Sequence, residues 1–231
     1  MKKLGVYSAL AVSALCFLSW LSPLKAYAST VKLTFDGTTY DGKGGNSLGG
    51  FATYPYYFTI GTASTEVPLL CVSFQDHITQ WESWTADVDP IGTTGLALDK
   101  AQQEEDAWLD SQLSGANQLT TEELQWAAWV VGDSSLTTWK LENIYGLSGS
   151  VVGSIDSDIT DAANYVAAHP NASSYAGYQL YVPKSDDDCD YTPQTFIGPA
   201  PTPEPSSLVL LGSGLLAAAG ALYRRKKQLT T

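Results

Sequence analysis

The chain has 231 residues, 24 of them acidic and 12 basic, for a formal charge of −12. The bases gather at the ends, with Lys2, Lys3 and Lys25 in the first segment and Arg224, Arg225, Lys226 and Lys227 in the last. Residues 29–203 therefore keep only Lys32, Lys43, Lys100, Lys140 and Lys184 against 23 of the acids, a formal charge of −18. A body so acidic repels phosphate backbones, which excludes nucleic-acid binding. Its length suffices for one domain with its own core, and six of the seven Trp lie in it, which excludes a disordered stalk.

In chain order, Lys2 and Lys3, an apolar run from Leu4 to Leu21, and the small residues of Ala26-Tyr27-Ala28 form a secretory signal peptide over residues 1–28. Signal peptidase is the expected processing partner, and the mature chain is expected to begin at Ser29. Cys16 follows Leu15 where lipid attachment needs a small residue, so it is read as part of the apolar run. Val31 to Phe35 alternates as a strand and ends at Asp36-Gly37. The Gly-rich segment 42–50 lacks the Lys-Ser/Thr pair of a phosphate cradle and is read as a loop. Phe51 to Ile60 reads as one or two strands broken at Pro55, and Leu69 to Phe74 as another, left through Gln75-Asp76-His77.

A Trp/Asp-rich connection follows, and then the pattern turns helical. Asp99 caps a helix over residues 100–113, and Thr120-Thr121-Glu122-Glu123 has the form of a capping box opening a second over 121–131. A third is predicted over 159–168, stopped by Pro170. Gly177 to Val182 returns to a strand, and residues 183–202 are Asp/Pro-rich and read as a linker. Strands, helices and a closing strand predict an α+β domain over 29–182, an antiparallel sheet or sandwich with an inserted helical segment.

The uncharged run from Leu208 to Leu222 is followed directly by Arg224, Arg225, Lys226 and Lys227, a cluster that stays cytoplasmic by the positive-inside rule. The run falls short of the roughly 20 residues a membrane span needs, and Gly212, Gly214 and Gly220 weaken it, so a short apolar helix with transient membrane association is expected. Thr202-Pro203-Glu204-Pro205-Ser206-Ser207, the apolar run and the basic cluster together closely resemble the PEP-CTERM sorting segment of exopolysaccharide-producing Gram-negative bacteria. The resemblance covers about the last 30 residues of the chain. It implies recognition by an exosortase at Pro203, Glu204 and Pro205, a sorting segment over 203–227 with a tail over 228–231, and a destination in the envelope, surface or matrix. For the body it implies an adhesion or interaction role linked to exopolysaccharide.

The body carries one unusual helix. In Glu123-Leu-Gln-Trp-Ala-Ala-Trp-Val-Val-Gly132 the apolar residues are nearly continuous, so Gln125 is buried and its amide needs partners. Leu124-Gln125-Trp126-Ala127-Ala128-Trp129 resembles the Gln motif of bacterial thioester adhesin domains, and Leu70-Cys71-Val72 resembles their Cys motif on an early strand. The resemblance implies an internal thioester between Cys71 and Gln125 that amines on a target surface open to a covalent amide. Cysteine counting offers other readings. Cys71 and Cys189 are the two of the mature chain, and an even count in an oxidising compartment suggests a disulfide; two unpaired thiols, or a thioester with Cys189 free, are the alternatives.

Asp186 to Asp190, and Asp156, Asp158 and Asp161, lack the glycine-centred spacing of a calcium loop, so neither a metal nor another cofactor is expected. His77 lies six residues beyond Cys71 with no oxyanion-hole signature, so a turnover enzyme is not expected. If Trp81, Trp84, Tyr54, Tyr56 and Tyr57 are exposed together they form a stacking platform for a polysaccharide; otherwise they are core.

Overall fold

The computed structural model describes residues 30–38, 47–170, 175–184, 193–200, 211–215 and 218–219. The signal peptide, Cys189, Pro203, Glu204, Pro205 and Arg224 to Lys227 lie outside the described residues.

The strands in chain order are β1 (Thr30–Thr38), β2 (Ser47–Leu48), β3 (Phe51–Ala52), β4 (Tyr56–Ile60), β5 (Val67–Cys71), β6 (Ser83–Pro90), β7 (Tyr178–Pro183) and β8 (Phe196–Pro199). β2 and β3 pair as a small hairpin, and the other six close into an antiparallel barrel in the order β1-β4-β5-β8-β7-β6. The fold is α+β as predicted, but the sheet closes on itself instead of stacking as a sandwich, which leaves the barrel without an open edge. Register decides what fills it. Phe35 pairs with Phe58, Leu33 with Trp84, and Tyr181 with Phe196, so side chains from five strands point to one centre. There Phe58 meets Phe196 at 4.6 Å and Trp84 at 5.8 Å between ring centroids.

Between β6 and β7 the chain forms α1 (Lys100–Gln112), α2 (Gln118–Gly132), α3 (Thr138–Asn143) and α4 (Gly149–Ala168). α1, α2 and α4 pack on one another, α2 also against β5 and α1 against β8. α1 has the expected Asp99 cap, which Gln102 completes as a capping box: Gln102 N–H donates to Asp99 Oδ1 at 3.0 Å and Asp99 N–H to Gln102 Oε1 at 2.9 Å.

Several predicted boundaries are corrected. α2 starts before the Thr120 motif because Asn117 is the cap, its Oδ1 accepting from Thr120 N–H at 3.1 Å. α4 starts at Gly149 behind the Ser148 cap, where Gly149 and Gly153 hide the helix from a propensity reading. The Trp/Asp-rich connection contains β6, with Trp84, Ala86 and Val88 inward and Asp87 and Asp89 outward. The predicted linker contains β8, so the body reaches Pro199 and not Val182. Residues 211–215 and 218–219 are helical, and among the described residues no helix is long and apolar enough to cross a membrane.

Candidate functional site

β4 pairs with β5 no further than Tyr56 opposite Leu69, and the residue before Tyr56 is Pro55, which has no N–H to extend the ladder. On its other side β5 continues along β8, with Leu70 opposite Ile197 and Cys71 opposite Phe196. The β4-facing edge of β5 is therefore vacant at Cys71, whose buried N–H and C=O need other partners. Gln125 supplies both. Its Nε2 donates to Cys71 O at 2.6 Å, and its Oε1 accepts from Cys71 N–H at 3.4 Å. A side-chain carboxamide thus stands in for the missing rung of the sheet. Both residues are 0% exposed.

α2 reaches β5 this closely because it ends in glycine, where a Cβ on Gly132 would sit 2.5 Å from Val72 O. Trp126, Trp129, Phe51, Phe74 and Tyr145 form an aromatic cluster around that end of the helix, with Trp126 and Trp129 edge to face at 5.0 Å. Such a cluster contributes apolar area and edge-to-face ring contacts.

Cys71 is a free, buried thiol that donates to Ser73 O at 3.3 Å. Burial pushes it up to about 12, while the Trp129 side chain and the Ser73 backbone act in the opposite direction and Asp76 and Asp106 raise it further. Tyr56 lies near enough for Cys71 to help raise its hydroxyl, behind the larger effect of burial. Tyr56 and Trp129 also line a cavity of about 470 Å³, together with Phe51, Phe74, His77 and Gln194, so this cavity leads to the residues bordering the thiol.

Of the residues singled out in the sequence, Cys71 and Gln125 are brought together. The five aromatics proposed as a platform are not. Trp84 and Tyr56 are in the barrel core, Tyr54 and Tyr57 are half-buried, and Trp81 is 65% exposed. His77 is exposed at the cavity, and His169 stacks on Tyr165 at 4.0 Å. Asp156, Asp158 and Asp161 lie on α4, and among the described residues no three His, Cys, Asp or Glu side chains gather as a metal site.

The sequence reading passed over Asp106 and Asp110. Asp106 is 0% exposed, neither of its carboxylate oxygens finds a partner among the described residues, and burial, then Glu105 and Asp110, hold its carboxyl well above the usual range. Burial pushes Asp110 up to about 7. Their i, i+4 spacing on a helix with buried Gln103 and Ala107 was the available signal.

Comparison with known proteins bears first on the C-terminus, where the family of the PEP-CTERM protein-sorting motif matches residues 201–226. The chain carries a PEP-CTERM sorting motif. The motif implies an exported, exosortase-processed protein at the surface or outside the cell of a Gram-negative bacterium. No curated protein matches the chain. Among solved structures, the N-terminal domain of the Streptococcus pyogenes pilus tip adhesin Cpa is similar at 14% identity and a TM-score of 0.41, over 78% of this chain and 97% of that one.

Proposed function

We propose that this PEP-CTERM protein is a surface interaction module that captures primary amines through an internal thioester between Cys71 and Gln125, in the exopolysaccharide setting its tail suggests. The reading is carried by one observation: the Gln125 carboxamide is hydrogen-bonded to the backbone of Cys71, with both residues fully buried. In the first step Cys71 Sγ attacks Gln125 Cδ, the Cδ–Nε2 bond breaks, and ammonia leaves with the thiol proton. In the second an amine nitrogen attacks Cδ, the Cδ–Sγ bond breaks, and the thiol regains a proton from the amine, leaving a secondary amide. A thioester is an activated acyl group, and its life depends on keeping water out. Each chain reacts once, so the activity is capture and not turnover.

The same contact favours a second reading, in which Gln125 only completes the sheet and the module binds without covalent chemistry. Incubating the mature chain and its Cys71→Ala variant with a fluorescent primary amine separates the two. Label on Gln125 in the wild type alone supports capture; no label in either leaves the structural rung and a non-covalent module.

A further inference from the structure

The Cys71–Gln125 pair is fully buried, so no amine reaches Gln125 Cδ unless part of its cover moves. β8 and α2 flank the pair as parts of the core, with Phe196, Trp126 and Ala128 0% exposed. The third segment against it is Ser73–Asp76, whose residues are half-buried or exposed and whose Ser73 O accepts from the Cys71 thiol at 3.3 Å. This segment borders two cavities. One, of about 250 Å³, is lined by Val72, Leu98, Gly132, Asp133 and Leu180, and the other is the cavity of about 470 Å³ beside Tyr56 and Trp129. Phe74 and Asp76 line both, so the segment has room that close-packed core elements lack.

Its ends and its middle are held differently. At the ends, Gln194 Nε2 donates to Asp76 O at 2.8 Å and to Ser73 O at 3.4 Å, and Thr195 N–H donates to Ser73 Oγ at 2.8 Å, all part-buried. In the middle, the Phe74 ring rests on Trp129 and Phe51, both at 5.1 Å, and Gln75 Nε2 donates to Asp133 Oδ2 at 2.8 Å in an exposed bond. Asp133 is itself fixed as the C-cap of α2, its Oδ1 accepting from Ser135 N–H at 2.9 Å. Segments held by solvent-exposed hydrogen bonds and few buried contacts are the ones that open locally.

Resting on the acyl chemistry proposed above, we infer that Phe74 and Gln75 form a flap over the pair, hinged at Ser73 and Asp76 and latched by the Gln75–Asp133 bond. Releasing the latch lets the Phe74 ring swing into the adjoining space, and a primary amine enters past Asp133 and Gly132, beside the end of β5. The barrel ladder and the Gln125 rung stay in place, so opening is local.

The test uses the full mature chain and its Gln75→Ala and Gln75→Glu variants, with methylamine as the probe. Gln75→Ala removes the latch at an exposed position. Methylamine incorporation at Gln125 is expected to quicken roughly 10-fold, the low end for a hydrogen bond to a charged group because this one is exposed, with the urea midpoint unchanged. Gln75→Glu sets two carboxylates together and is expected to quicken it further. Either variant reacting at the wild-type rate, or quickening only with a fallen urea midpoint, overturns the flap and leaves the acyl reading intact. A wild type that takes up no methylamine overturns the acyl reading itself. Cys71 is then a thiol whose alkylation by iodoacetamide, after reduction, tests the flap alone: Gln75→Ala quickens it by the same factor, and an unchanged rate refutes the flap.

Discussion

Replacing Gln125 with methionine removes the carboxamide while filling nearly the same space, so the rung that Gln125 adds to the sheet can be weighed by itself. The measurement belongs in a Cys71→Ala background, where the backbone N–H and C=O of residue 71 remain but no bond to sulfur can contribute. Gln125→Met then leaves both groups buried and unpaired, at about 1–3 kcal/mol each. The 2.6 Å bond to the carbonyl belongs at the upper end of that range and the 3.4 Å bond from the amide, near the limit of hydrogen bonding, at the lower end. The expected loss is ~3–4 kcal/mol, a large part of the 5–15 kcal/mol typical of a domain. Urea unfolding followed by Trp fluorescence should show the midpoint falling by about 1.5–2 M, taking a slope near 2 kcal/mol per molar. A loss below about 1 kcal/mol with an unchanged slope would refute the reasoning, because Cys71 would then have other partners.

Asp110, which burial moves from 3.8 to about 7, makes stability depend on pH. The folded state holds a proton that the unfolded chain releases, so the contribution is complete below about pH 4 and is lost as pH rises toward 7. About three pH units correspond to ~4 kcal/mol, reduced to ~2–3 kcal/mol because Asp110 keeps some contact with solvent. Asp110→Asn should flatten the decline between pH 4 and 8 in urea titrations, with a residue left by Asp106, whose carboxyl is raised in the same direction. Gly132→Ala forces a Cβ against Val72 O, a backbone atom that cannot step aside, and should cost about 1–3 kcal/mol in thermal unfolding while pulling Gln125 off Cys71 and lowering amine labelling. Protein recovered from the envelope should lack Arg224 to Thr231 by intact mass, the product of cutting near Pro203, Glu204 and Pro205.

Features signalled by neighbouring residues were legible in the sequence. Asp99 announces α1, and the alternation of Val31 to Phe35 announces β1. Features depending on distant chain were not. Phe196 to Pro199 is a strand only because β5 and β7 stand on either side of it, and its flanking prolines disguise it as linker. β6 was hidden because its solvent face carries Asp87 and Asp89, residues depleted in strands, although its inner face keeps the two-residue period. The pairing of Cys71 with Gln125 was legible from two short motifs, but its physical form was not. That the carboxamide completes a ladder follows from β4 ending at Tyr56, a fact about three separated segments at once. The proposed sugar platform failed for a related reason: aromatic composition does not say which face of a closing sheet becomes the inside, and the inside took Tyr56 and Trp84.

The most direct measurement is the intact mass of the mature protein, purified without reductant, before and after methylamine. The account predicts a mass short by one ammonia, followed by gain of a methylamine that fragmentation places on Gln125. A full mass with a free Cys71 thiol, or a mass short only by the two hydrogens of a Cys71–Cys189 disulfide, with no uptake of methylamine in either case, would contradict it.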